Sequence, residues 1–360
     1  MHPDTIRRVF FSVMRALAVQ PAYAQSGWTW QNPLPQGNLL WQVSFFDQAN
    51  GLAVGDWGSI IRTTDGGASW TLQQRVTGAR LFDAFLLDAD HGIAVGDSGT
   101  ILYTSNGGAE WEVQHSGITT VLGAVCMTDP LTGTVAGQDG VVLRTTDGGM
   151  HWLRQESGTT VGLATIDFID DNTGYIVGGN GTILFTSDVG QRWTPQTSGC
   201  TSPLMTIAFS DAVTGTAAGS DGVILHTSDG GINWMLRVGG GRILRDVCFL
   251  DAANGGAVSE DSTILFTTDG GLHWESNTSR LSEKMIGIAV TDARTATVVG
   301  TDGAIFSTTD GGNNWSPGRH GIRNFLRKIC FTDAYTGTVV GFDGTILRTV
   351  DGGRTWTQQA

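Results

Sequence analysis

The sequence predicts an all-β fold, a closed β-propeller of eight four-stranded antiparallel blades. Three observations predict it. Tryptophan recurs at Trp70, Trp111, Trp152, Trp193, Trp234, Trp274, Trp315 and Trp356, every 41 residues with one step of 40. Each interval holds four short apolar runs separated by Gly/Asp turns. Those runs carry apolar residues on both faces, so both faces of each sheet must be covered. A repeat of about 40 residues containing one small sheet is the signature of a propeller blade.

Leu81–Gln114 shows the elements in order. Leu81–Leu87 reads as strand one, Asp88–Gly92 as a turn, Ile93–Val95 as strand two and Gly96–Gly99 as a tight turn. Thr100–Thr104 is strand three, Ser105–Ala109 turns, and Glu110–Gln114 is strand four. Buried patterns repeat in the first strands, as in Val43/Phe45, Ile207/Phe209 and Ile329/Phe331, and in the third, as in Ile60-Ile61 and Ile346-Leu347. Eight units fit between Leu39 and Gln359; a ring of seven with one unit left over is the alternative. Glycine, 52 of 360 residues, is about twice as frequent as usual, which fits turns that need positive φ.

Each tryptophan closes one phrase, T-T-D-G-G-A-S-W at Thr63–Trp70 and its variants, an Asp-box. Its carboxylate can accept backbone N–H groups in the turn between strands three and four, and its tryptophan can cover the sheet. The structural pairs are Asp65 and Trp70, Asn106 and Trp111, Asp147 and Trp152, Asp188 and Trp193, Asp229 and Trp234, Asp269 and Trp274, Asp310 and Trp315, and Asp351 and Trp356. They do not form calcium loops of the twelve-residue kind, which need a closing Glu.

The chain ends where the repeat ends, but it begins differently. Arg7 and Arg8 precede an apolar run, and Ala22-Tyr23-Ala24 offers a cleavage signal, so residues 1–24 read as a secretory signal peptide. Residues 25–38 form an N-terminal segment in which Trp28–Gln31 resembles a fourth strand, a candidate extra strand at ring closure; residues 39–360 are the propeller. Export to the periplasm or the extracellular space follows. No later apolar run reaches the ~18 residues that cross a membrane. Of the four cysteines, Cys126, Cys248 and Cys330 share one repeat position on separate blades and are expected to be buried and too far apart to pair, so with Cys200 no disulfide framework is expected.

A net charge of −13 argues against nucleic acid as partner. Positive charge concentrates in the segments that join blades: Arg75 and Arg80, then Arg237, Arg242 and Arg245, then Arg280 and Lys284, then Arg319, His320, Arg323, Arg327 and Lys328. Such segregation suits an anionic protein partner. Trp57 and Phe342 break the small, polar pattern of the second turns and are candidate contact anchors.

The T-x-D-G-G-x-x-W phrases, the preceding V-G-x-x-G and the opening Trp30–Gly37, W-Q-N-P-L-P-Q-G, resemble the photosystem II stability/assembly factor (Ycf48-like) family of Asp-box, or BNR-like, propellers. The resemblance covers residues 28–359. It implies a chaperone-like factor, lumenal or periplasmic in phototrophs and so of the thylakoid lumen there, that binds an early reaction-centre subunit through an arginine patch. By location and charge, Arg242, Arg245, Arg319, Arg323 and Arg327 stand for that patch. Lipoprotein members carry a cysteine after the signal peptide; Gln25 stands there, so a freely soluble monomer is expected.

Two other classes are open to an Asp-box propeller. A glycan- or surface-binding module needs no motif that the repeat lacks. A sialidase-like glycosidase would need an arginine triad and a tyrosine paired with a glutamate, but Tyr103, Tyr175 and Tyr335 have no glutamate partner along the chain and the F/Y-R-I-P phrase is missing. Histidines are dispersed and no P-loop or dinucleotide fingerprint occurs. The reading is a noncatalytic exported propeller that binds a protein partner, with no cofactor and no metal.

Overall fold

The computed structural model describes residues 37–238, 242–278, 282–318 and 321–359. These residues form eight sheets, each of four antiparallel strands hydrogen-bonded in chain order. Blade 1 consists of Leu40–Phe45, Gly51–Gly55, Ile60–Thr63 and Thr71–Leu72. Blade 2 repeats it as Leu81–Leu86, Gly92–Gly96, Ile101–Thr104 and Glu112–Gln114, within two residues of the sequence boundaries. The ring therefore has eight blades, and the seven-bladed alternative is excluded.

The first strand of each blade is innermost. Second strands such as Gly92–Gly96 are buried along their full length, because both faces meet neighbouring blades. Core clusters cross blade boundaries accordingly. One joins Leu40, Val43, Ile61 and Trp70 of blade 1 to Val340 and Ile346 of blade 8 and so closes the circle. Each such aliphatic side chain contributes roughly 1.5–3 kcal/mol when fully buried.

The Asp-box fastens one blade to the next. In blade 4, Thr186 Oγ1 accepts the Gly190 N–H at 3.0 Å and Asp188 Oδ1 accepts the Arg192 N–H at 2.9 Å. This turns the chain so that Trp193 lies edge-on to Phe168, ring centroids 6.0 Å apart. The preceding blade reaches into the box from the third residue of its third strand. Arg144 Nε donates to Val189 O at 2.7 Å, and Tyr175, from the second strand of blade 4, donates its hydroxyl to Gly230 O of blade 5 at 2.6 Å. At the closure, Arg348 Nε of blade 8 donates to Gly66 O of blade 1 at 2.6 Å.

A second aspartate repeat, which the sequence reading did not single out, orders the turn after each first strand. Asp47 Oδ1 accepts the N–H groups of Ala49 and Asn50 at 2.7 and 2.6 Å, and Asp88, Asp129, Asp170, Asp211, Asp251, Asp292 and Asp333 do the same for their turns. Its signal was the same spacing as the tryptophans.

The outer strand of blade 8, Thr357–Gln358, pairs with Ile346–Thr349, so the carboxy-terminal chain fills that position itself. Trp28–Gln31 and the signal-peptide residues 1–24 lie outside the described residues. The four cysteines are free, as the blade spacing requires, but half-buried rather than buried. Cys126, Cys248 and Cys330 sit on inner strands; burial lifts the thiols of Cys126 and Cys248 to about 12, so they stay protonated.

Two outcomes test these contacts. Trp193→Ala should cost about 3–5 kcal/mol and Thr186→Val about 1–3 kcal/mol, read as lower urea midpoints at unchanged slope. Asp310 is held at about 2, below its ordinary 3.8, first by the Asn314 side-chain amide and then by the Asn314 N–H; Asp47 is held down first by the Asn50 N–H and then by the Asn50 side-chain amide. A carboxylate with a depressed folded-state pKa stabilises above its unfolded value and loses that contribution as pH falls through the folded one. The melting temperature should therefore fall progressively between about pH 4 and pH 2, and Asp310→Asn should flatten that slope.

Candidate functional site

The two ends of the ring differ in chemistry. Register sets which residues occupy each end: Leu40 pairs with Gly55 and Phe45 with Gly51. The starts of the inner strands, the tight second turns and the inter-blade segments thus share one end, the channel mouth. The first turns and Asp-boxes share the other, as the Gly66 N–H to Ala49 O bond of 2.9 Å shows.

Every inner strand carries a bulge at its second residue, seen as a register shift between its first and third residues. A bulge re-aims a side chain. Here it gathers one residue per blade around the mouth: Trp41, Phe82, Gly123, Ala164, Met205, Arg245, Ile286 and Arg327 line one cavity of about 600 Å³. Only Arg245 and Arg327 of this set were candidates from the sequence. The other six were detectable as residues at the same repeat offset, but nothing in the sequence marked the offset as facing a channel.

The arginines divide. Arg245 Nε donates to Glu260 Oε1 at 2.6 Å, and Lys284 Nζ lies 3.7 Å from Glu260 Oε2. Glu260 stands in the blade 6 turn, where Ser259–Ser262 replaces the usual Gly-x-x-Gly. Arg327 lies over the Trp41 ring, 4.0 Å from its centroid, and has no carboxylate within ion-pair distance among the described residues. Its burial first, and the charge of Arg245 second, bring its pKa down to about 10; it remains charged but poorly compensated. Arg242 and Arg323 are exposed on the segments entering blades 6 and 8. Arg319 lies outside the described residues. Arg327 and Lys328, read from sequence with the joining segment, belong to the inner strand Leu326–Phe331. Arg80 is neutralised by Asp97 at 2.6 Å.

Below the mouth, carboxylates tie inner strands together. Asp83 accepts from Gln42 Nε2 and from the Val125 N–H, both at 3.0 Å. Asp246 accepts the Ile288 N–H at 3.3 Å and faces Lys328 Nζ at 3.4 Å; Asp246's charge raises the lysine's pKa. Among the described residues Asp167 accepts the Phe209 N–H alone, at 3.3 Å, and burial pushes its pKa up to about 6.

The aromatic candidates flank the arginines. Trp57 is 62% exposed and adopts φ +57°, where other blades place Ser, Asp or Asn. A bulky side chain there costs of order 1–2 kcal/mol. Phe342 is 40% exposed and lies 4.9 Å from Phe325, centroid to centroid. The two occupy successive positions of their turns, Trp57 the second and Phe342 the first. Trp41 Nε1 donates to Asp56 Oδ1 at 2.7 Å and its ring meets Phe82 edge-on at 5.2 Å, so the aromatics run from blade 8 through blades 1 and 2.

The arrangement offers cationic and apolar contacts at the rim, with Asp83, Asp246 and Glu260 also lining the cavity. Tyr103, Tyr175 and Tyr335 do not line the mouth, and among the described residues no group of three or more His, Cys, Asp or Glu side chains could hold a metal ion. Asp167→Asn tests the channel electrostatics. A carboxyl with a raised folded-state pKa opposes folding once ionised, so the variant should raise the unfolding free energy from urea melts more at pH 8 than at pH 5, by on the order of 1 kcal/mol.

Comparison with known proteins agrees with this architecture. A solved YCF48 bound to a D1 peptide is 21% identical, with a TM-score of 0.59, and the match covers 76% of this chain and 93% of that one. YCF48 from Cyanidioschyzon merolae is 19% identical at a TM-score of 0.61, covering 78% and 98%. The computationally designed Ika8 protein is 15% identical at a TM-score of 0.72, covering 88% and 96%. No curated protein sequence matches. The family model described as photosynthesis system II assembly factor YCF48 matches three stretches, residues 75–161, 154–240 and 236–319, and with more than half of its length matched the chain belongs to the YCF48 assembly-factor family.

Proposed function

We propose that this protein is a noncatalytic, exported propeller that binds a segment of a membrane-complex subunit at its channel mouth and thereby serves assembly of that complex. The observation that carries this is Arg327, a half-buried guanidinium without a carboxylate partner among the described residues, facing a second arginine in a chain of net charge −13. An anionic partner would supply the missing compensation, and exposed Arg242 and Arg323 would steer it. The family relation supports the reading: one YCF48 was solved with a D1 peptide bound. Export rests on the layout of residues 1–24 and on the same relation; in a phototroph the destination would be the thylakoid lumen. The aromatic rim, Trp57 and Phe342, fits a protein surface better than a sugar-binding cleft with catalytic carboxylates.

Crosslinking in native membranes with identification of the captured chains tests it. Wild type should capture a membrane-complex subunit, less efficiently as salt rises, since exposed charges are screened. The Arg323→Glu/Arg327→Glu double variant should lower that yield at least ~10-fold, the equivalent of about 1.4 kcal/mol. Equal yields of every partner would remove the docking role.

A further inference from the structure

The mouth is filled unevenly. At the bulge position, blades 1 and 2 place Trp41 and Phe82, whereas blades 3 and 4 place Gly123 and Ala164. The next residues inward are also small there, Ala124 and Thr165. This sector of the open cavity of about 600 Å³ is therefore the part with the most room for a side chain from a partner. Its flanks are apolar, Phe82 on the blade 2 side and the adaptable Met205 on the blade 5 side, while Asp83 and Thr165 line the cavity at the next position of their strands. Across the channel stands blade 8 with Arg327. The neighbouring cations are already engaged, Arg245 and Lys284 with Glu260 and Lys328 with Asp246.

One uncompensated cation and one empty apolar slot thus face each other from opposite sides of the ring. In an extended chain, successive side chains point in opposite directions. We propose that the mouth reads a two-residue feature in its partner: a carboxylate, taken by Arg327, directly beside a bulky apolar side chain, taken by the slot over Gly123 and Ala164. The proposal rests on the docking role given above and adds the chemistry that selects the docked segment. The carboxylate gains a charge-assisted contact where water is partly excluded, and the apolar side chain fills space that this chain leaves open.

Gly123 makes the idea testable without damage to the fold. Its φ is not in the left-handed region, and a Cβ there would meet nothing closer than Leu163 O at 4.0 Å. Gly123→Leu should therefore fill the slot while leaving the melting curve at the wild-type position; Ala164→Leu, from the adjoining blade, is the second variant should the first unfold. A random octapeptide library displayed on phage is selected on the full mature chain, on the slot variant and on Arg327→Gln. Wild type should enrich Asp or Glu adjacent to Phe, Leu, Met or Trp at least ~10-fold over the unselected library, about 1.4 kcal/mol of preference. The slot variant should keep the acidic preference and lose the apolar neighbour; Arg327→Gln should do the reverse. Selection by wild type of acidic residues with no neighbour preference, selection of nothing, or the same pair from a folded slot variant would overturn the inference. Native crosslinking separates this from the docking role. If the double arginine variant loses the partner and Gly123→Leu retains it fully, docking stands and the slot falls; if the arginine variant retains it, docking itself falls.

Discussion

Each sheet of this protein is covered by the next, and that mutual burial is the constraint on which everything else depends. A four-stranded sheet whose second strand is buried throughout cannot expose either face. It gains its stability only when two neighbours are in place, and the last pair must therefore meet. The Asp-box supplies direction to this packing. Its threonine and aspartate satisfy the backbone of the turn, which sets the tryptophan against its own inner strand and leaves a carbonyl for the preceding blade to hold. Burial provides the magnitude and hydrogen bonds provide the register.

Closure creates the site as a by-product. Eight bulges at equivalent positions would, with identical side chains, produce a symmetric plug. Variation at that single position instead produces an aromatic arc, a small-residue sector and a cationic arc around one opening. Because the scaffold bonds are made elsewhere, this position can change without loss of the ring. The Asp-box could not vary in the same way, since its threonine Oγ1 and aspartate Oδ1 each accept a specific backbone N–H of the turn.

Electrostatics in the channel follow from the same geometry. Asp83, Asp167 and Asp246 each accept a backbone N–H of the next blade, which adds a polar anchor between neighbouring inner strands to their side-chain packing. Lys328 reaches Asp246 two blades away, past Gly287, which presents no side chain between them. Lys328 is paired with Asp246, and Arg245 and Lys284 with Glu260, whereas the half-buried Arg327 has no carboxylate partner among the described residues.

The sequence by itself determined the class of fold, the number of blades and the strand boundaries of blade 2 to within two residues, because each is a local property repeated many times. Turn chemistry, alternation and the tryptophan phrase all act within one unit, so they are visible along the chain. Family membership was legible for the same reason. What only the tertiary structure decided is which repeat position looks into the channel. Trp41, Phe82 and Gly123 are ordinary residues in sequence; a bulge and the closing of the circle bring them together. The fates of the arginines were likewise undecided. Arg80, Arg245 and Arg327 look alike along the chain, but whether each meets Asp97, Glu260 or the face of Trp41 depends on contacts that form across turns and across blades.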